Sequence, residues 1–493
     1  MSNSKTTNNN LKSYLHVVIG IAIMLVFQFL PAYGPITEVG MKCVGAFIGM
    51  VYLWSTVGAL WPSLLGLIII GLSGYAGEGA TGFKAVFASA FGNDTVLLLT
   101  FNMILFGALD VYGCTKYIAK WCLTRKVINK RPYLFLAVVF ITSYILSAIV
   151  APTTAVLIIW PIGLHMMEAL GVERSDKIWG HFFMGLFIMM CIGQPVLPFK
   201  GAQLIVLGTI ENLAGSTISW GPYMLYNFIL AALVLIGYLL ILKFILKPDV
   251  TKLEKVSAEQ VEEIMPLPAM NTAQKIMLIS LPVYIIVLLL PNFISPDKIP
   301  FLKFFSIIGS TGTSCLFLII FCIIKIAGKP VINYQEVSAK AFNWGTIFMV
   351  VAAVYGAGTL SNEATGVKTF IVDVLNPVLG GQPEIVFVAL MFIVALLLTN
   401  IANNAGIALI LLPVVSAFTE QLGIAFIPVA IGVGMMVFCA LLTPAASPHT
   451  AMAFGRTDIY EGKTFIKIGI PFCIAYIALY VIVGYPLAKI FFM

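Results

Sequence analysis

The chain is 493 residues long, 60% hydrophobic and 10% charged, with a mean hydropathy of +1.02. That leaves too little polar surface to coat a soluble globule of this size, and excludes one. The net charge of +7 does not point to nucleic acid, because the lysines and arginines gather between apolar runs, where such charge orients a membrane protein.

Residues 1–12 are polar and Asn-rich and predict a cytoplasmic tail; no Ala-x-Ala type cleavage site follows, so the first apolar run reads as an uncleaved span. Apolar runs suited to a hydrocarbon core of about 30 Å lie near 15–32, 43–60, 62–76 and 95–115. Next, 36 uncharged residues separate Arg131 from Glu168, while Arg131 and Arg174 belong on one side. Residues 132–170 are therefore predicted to enter and leave by the same face as a helical hairpin. Runs near 179–199 and 222–246 follow, the first inside a longer interrupted span, 179–210. The charged stretch 247–275 predicts a cytoplasmic linker lying partly as a surface helix. Beyond it come runs near 276–296, 304–327 and 343–361, a second hairpin at 384–422 from the opposite face, an interrupted span at 427–455 containing the run 427–443, and a last run at 465–492.

The expected fold is an all-α polytopic membrane protein with eleven transmembrane helices and two re-entrant hairpins, organised as an inverted repeat of 13–246 and 276–493. With the N-terminus cytoplasmic, the inner side receives 21 of the 28 basic residues, which is the positive-inside asymmetry. The C-terminus is then outside, in a cell membrane with lipid around it. Eight cysteines scattered through apolar runs without metal spacing read as buried thiols.

Two segments about 250 residues apart carry the chemistry: Ser147-Ala-Ile-Val-Ala-Pro-Thr-Thr154 and Thr399-Asn-Ile-Ala-Asn-Asn-Ala-Gly406. Each sets small and polar residues between apolar arms. Paired interruptions at corresponding positions of two halves are the sequence pointer to a transporter's central site, since a helix can break in the bilayer only where the break is buried in protein or faces a wet cavity. The second arms begin at Thr153/Thr154 and near Asn404, so free amides and positive helix ends face that cavity and suit an anion. The carbonyl ends of the first arms suit a cation. Each hairpin is followed by a Pro-interrupted span, Gly193-Gln-Pro-Val-Leu-Pro-Phe-Lys-Gly201 and Thr443-Pro-Ala-Ala-Ser-Pro-His-Thr450, whose unwound carbonyls would complete ion sites.

Thr399-Asn-Ile-Ala-Asn-Asn-Ala resembles the second Ser-Asn-Thr hairpin motif of the divalent anion:sodium symporter family of the ion transporter superfamily. Pro444-Ala-Ala-Ser-Pro-His-Thr-Ala-Met-Ala-Phe-Gly455 is similar to that family's Pro-Val-Ala-Thr-Pro-Pro-Asn-Ala-Ile-Val-Phe-Gly. The resemblance implies a homodimer, each protomer with a scaffold domain and a transport domain that moves as an elevator, carrying di- or tricarboxylates or sulfate between the hairpin tips. It also implies that Thr399 and Asn404 coordinate sodium and that Asn403, Asn404 and Ser447 hold substrate; beside them, Thr153, Thr154 and Thr450 are expected to contact it. In the first half Ser147 keeps a sodium-ligand position, but Ser-Asn-Thr has become Ala151-Pro152-Thr153. Lys200 stands near where a glycine carbonyl would help bind the first sodium.

Two readings of Lys200 follow: its ammonium replaces that sodium as a fixed counter-charge for the anion, or it snorkels to water. A dianion entering with one sodium moves net negative charge against an inside-negative potential, at about 2.3 kcal/mol per 100 mV. Anion exchange or proton uptake avoids that cost, so at most one sodium per cycle is expected and no other cofactor. Asp110 and Glu363 are expected to pair or cap within scaffold segments, His449 to contact substrate or to hydrogen-bond structurally, and His165 with Glu168 to lack a third metal ligand. The expected function is secondary transport of a small organic anion by symport or exchange. A sodium/proton antiporter or an arsenite or inorganic-anion permease of the same superfamily is the alternative. An intramembrane enzyme would need a nucleophile–base pair or a metal cluster, and the spans offer neither.

Overall fold

The computed structural model describes residues 2–290, 294, 299–401, 404–444 and 446–493, with side chains from Tyr14 onward. Apart from a two-residue antiparallel pair, Lys325–Ile326 with Lys329–Pro330, its regular structure is helical. The first half holds α1 (Ser2–Val26), α2 (Glu38–Thr56), α3 (Leu60–Leu72), α4 (Gly79–Phe91), α5 (Asp94–Val111), α6 (Cys114–Leu123), α7 (Pro132–Ile149), α8 (Pro152–Ala169), α9 (Lys177–Gly193), α10 (Gly201–Ala214) and α11 (Trp220–Leu246). After α12 (Ala258–Ile264) come α13 (Thr272–Leu289), α14 (Pro300–Ile323), α15 (Tyr334–Ala341), α16 (Trp344–Ser361), α17 (Val367–Leu379), α18 (Glu384–Thr399), α19 (Asn404–Leu422), α20 (Phe426–Phe438) and α21 (Pro448–Gly455). A C-terminal helix, Gly462–Phe492, closes the chain.

Among the described residues nine helices are long and apolar enough to cross a membrane, or ten if α17 and α18, bent by 108° at their break, count as one span. Eleven full spans were expected. Four of the expected runs, 15–32, 62–76, 179–199 and 427–443, give shorter apolar helices, Tyr14–Val26, Leu60–Leu72, Lys177–Gly193 and Phe426–Phe438, while the hairpin arms α7 and α19 are among the nine. Conversely, α4 and α17 lie outside the apolar runs picked out above. Isoleucines 279, 286, 307, 474 and 482 are each more than half exposed. They put large apolar side chains on the outside of three membrane-length helices, a surface that suits lipid, so the chain is a multi-pass membrane protein.

The linker is folded down rather than loose. A capping box of Ser257 and Gln260 starts α12, Ala258 N donates to Asn129 Oδ1 at 2.9 Å, and Lys252 Nζ lies 2.8 Å from Asp176 Oδ2. The Lys252 hydrogen bond holds the Asp176 carboxyl below its usual range. All eight cysteines are unbridged.

The interior around the hairpins is close-packed. α7 lies against α9, and α10 against α19 and α20. A Cβ at Gly193 would stand 2.3 Å from the carbonyl oxygen of Tyr144, a backbone atom with no room to move. Gly193→Ala is therefore expected to cost about 1–3 kcal/mol through overpacking, read as a lower thermal midpoint in detergent; an unchanged midpoint would mean that α7 and α9 are not held this tightly.

Candidate functional site

The first hairpin tip follows from its sequence. Pro152 biases Ala151 to extended backbone (φ −60°, ψ 141°) and then serves as the first residue of α8, so α7 must stop at Ile149. The first intrahelical bond of α8 runs from Ala155 N to Ala151 O at 2.9 Å, which leaves the amides of Thr153 and Thr154 without an intrahelical partner. Both residues line a cavity of about 520 Å³.

α7 ends on Lys200. Its Nζ donates to the carbonyl oxygens of Ser147 at 3.0 Å, Ala148 at 2.9 Å and Val150 at 2.5 Å. These are the carbonyls that a stopped helix leaves orphaned at its negative end. Lys200 reaches them from the unwound segment between α9 and α10, where Pro195 and Pro198 remove donors and Gly201 takes a positive φ of 58°. The unwound carbonyls are satisfied in turn: Asn102 Nδ2 donates to Phe199 O at 2.8 Å, and the Tyr223 hydroxyl to Pro195 O at 2.7 Å. The side chain thus points into the protein, opposite to the snorkelling reading.

In the second half, Thr399 Oγ1 lies 2.6 Å from Val437 O and 3.0 Å from Asn404 Oδ1. The buried Asn400 ties the tip to the unwound stretch after α20, accepting from Leu442 N at 2.7 Å. Asn404 and Ser447 line the same cavity as Thr153 and Thr154. Thr450 stands behind Ser447, its hydroxyl donating to Ala440 O at 2.6 Å, and Thr399 is likewise buried behind the tip. Ser147 is buried, with no hydrogen bond to its hydroxyl. Asn403 lies outside the described residues.

Other wall residues come from α5, α15 and α16. Asp110 at the end of α5 accepts from the Thr154 hydroxyl at 3.1 Å; Lys340 and Asn343, at the α15–α16 junction, also line the cavity. His449 also faces the cavity, with Nε2 3.9 Å from Cys191 Sγ. Among the described residues no three His, Cys, Asp or Glu side chains group as a metal site. Glu363 and His165 are exposed and remote from the cavity lining. Lys340 and Asn343 carried no repeat or motif signal in the sequence, and Asp110 announced itself only as an acid inside an apolar run.

The chain matches the family profile described as sodium:sulfate symporter transmembrane region over residues 11–493. It belongs to the divalent anion:sodium symporter family. Members of this family are transporters, not enzymes. Among relatives, an uncharacterized transporter of Methanocaldococcus jannaschii is 24% identical, covering 67% of this chain and 68% of that one. The sodium-dependent dicarboxylate transporter SdcS of Staphylococcus saprophyticus is 23% identical, covering 77% and 73%. In fold the chain is similar to the YdaH transporter of Alcanivorax borkumensis, with a TM-score of 0.56 at 15% identity over 85% of this chain and 91% of that one.

Within this sodium symporter family the two tips offer unlike sites. The second brings together a hydroxyl, an amide oxygen and a backbone carbonyl (Thr399, Asn404, Val437), a hard-oxygen set of the kind a small cation takes. At the first, the carbonyls at the end of α7, those of Ser147, Ala148 and Val150, are already spent on an ammonium group. A second cation there would meet Lys200 at close range, in surroundings where like charges about 4 Å apart repel by about 4 kcal/mol.

Proposed function

We propose that the chain is a secondary active transporter of small organic anions, di- or tricarboxylates, in which Lys200 takes the place of one coupling cation. The observation that carries this is the Lys200 ammonium held on three α7 carbonyls beside the open amide end of α8. It supplies a positive charge that travels with the site and does not have to be bound and released. Thr153, Thr154, Asn404 and Ser447 hold the anion's oxygens, together with Asn403 from the second tip; Thr450 and Thr399 orient Ser447 and Asn404 from behind. Ser147 contributes its carbonyl to Lys200 rather than a sodium ligand. One sodium at most binds, at Thr399 and Asn404.

With one fixed charge and one sodium or none, the low-cost cycle is exchange of one anion for another. The two halves act as an inverted repeat, with a transport domain of α7–α10 and α18–α21 sliding as an elevator against a homodimeric scaffold. On the positive-inside reading the Lys340 wall is cytoplasmic. The test is uptake of labelled succinate, malate, citrate or sulfate into proteoliposomes, with and without a sodium gradient and with counter-anion inside. Counter-anion is expected to stimulate uptake by tenfold or more while a sodium gradient changes it little. Uptake strictly dependent on two or more sodium ions, or cation transport with no anion, would overturn the reading.

A further inference from the structure

The Asp110 carboxylate sits in the anion cavity, which is where a negative charge is least expected. It occupies the last turn of α5, the negative end of that helix, and is half-buried. Its hydrogen-bond partner is the Thr154 hydroxyl at the tip of the first hairpin, 3.1 Å away. α5 packs chiefly against α14 and α15 and more lightly against α10, where Asn102 also bonds Phe199 O, whereas α7 of the hairpin packs chiefly against α9; on the elevator reading Asp110 and Thr154 belong to different bodies. The bond therefore crosses the seam along which one body would move past the other. In chemistry it copies what an arriving carboxylate would do, an oxygen anion accepting from Thr154 beside the open amides of α8 and the Lys200 ammonium.

We propose that Asp110 is a tethered stand-in for the substrate's carboxylate: it holds the unloaded hairpin tip to the scaffold, and a bound anion frees the tip by taking over Thr154. This rests on the anion-transport reading above and deepens it, because it explains how an empty carrier is kept from returning. A carrier that moves only when loaded exchanges anions one for one. A carrier without the latch leaks net flux. Asp110 does not select among carboxylates on this account; it selects loaded from unloaded.

The test measures the unloaded full-length protein in liposomes, with its native cysteines replaced. Spin labels at the exposed positions Tyr334, on α15 against α5, and Glu173, between α8 and α9, report the distance between the two bodies. Wild type without anion is expected to show one dominant distance, and Asp110→Ala a second population at least tenfold larger than in wild type. Asp110→Asn, whose amide oxygen still accepts from Thr154, should fall between them. Thr154→Val should match Asp110→Ala, with the double variant no further shifted. Adding succinate to wild type should produce the same redistribution. An Asp110→Ala distribution identical to wild type overturns the proposal, and so does an unshifted Thr154→Val. If Asp110→Ala redistributes but wild type ignores succinate, citrate and sulfate alike, the latch stands and the anion reading fails.

Discussion

Lys200→Met is expected to abolish anion exchange, lowering apparent anion affinity by about 100-fold or more, while Lys200→Gly is expected to restore transport only in the presence of sodium. The size follows from what the ammonium does. It satisfies three buried carbonyls, and hydrogen bonds to a charged group contribute about 1.5–3 kcal/mol each, with a further penalty when a buried acceptor is left unmade. It also supplies a positive charge in the cavity that the α8 amide end faces. Methionine keeps the volume and removes both. Glycine opens the space, so that the carbonyls of Ser147, Ala148 and Val150 face a void able to admit water or a sodium ion. Solid-supported membrane recordings would read the second result as a sodium-dependent, voltage-sensitive current absent from wild type. Unchanged sodium and voltage dependence in Lys200→Gly would mean that the lysine is not acting as the cation.

The second large effect is at the other tip. Asn404→Asp is nearly isosteric, keeps an acceptor for Thr399, and puts its new charge at the start of α19, where the helix dipole favours it, so folding is expected to survive. A carboxylate there repels an incoming anion. At about 4 Å and an effective dielectric near 20 the repulsion is about 4 kcal/mol, and even half of that lowers affinity by about 30-fold. A sodium/proton antiporter would respond in the opposite sense, since an added carboxylate strengthens cation binding. Isothermal titration with succinate and with sodium chloride on the same variant separates the two.

Much of this was legible before any coordinates. Pro and small polar residues between apolar arms can be read as broken helices because the bilayer allows few reasons for them, and both tips line one cavity as the paired segments implied. Lys200 was visible as an anomaly, but its direction was not: whether a lysine near a helix end turns inward or outward depends on which carbonyls lie within reach, and those belong to α7, some fifty residues earlier. The scaffold wall was harder still. Asp110, Lys340 and Asn343 reach the cavity through packing of distant helices, and no local pattern marks such a contact. Apolar runs and helices differ most where Pro and Gly cut the runs into 13- to 17-residue helices, because hydropathy registers composition and not the point at which the backbone stops.

The most direct measurement is substrate protection of the two tips from a thiol reagent. Ala151→Cys on the first tip and Ala405→Cys on the second, each in a chain without its native cysteines, are labelled with methanethiosulfonate in sodium-free buffer over a range of succinate or citrate concentrations. If a single anion lies between the tips beside Lys200, both cysteines are protected, with half-protection at the same anion concentration and without sodium. Protection of one tip alone, or protection by sodium with no anion present, would contradict the account.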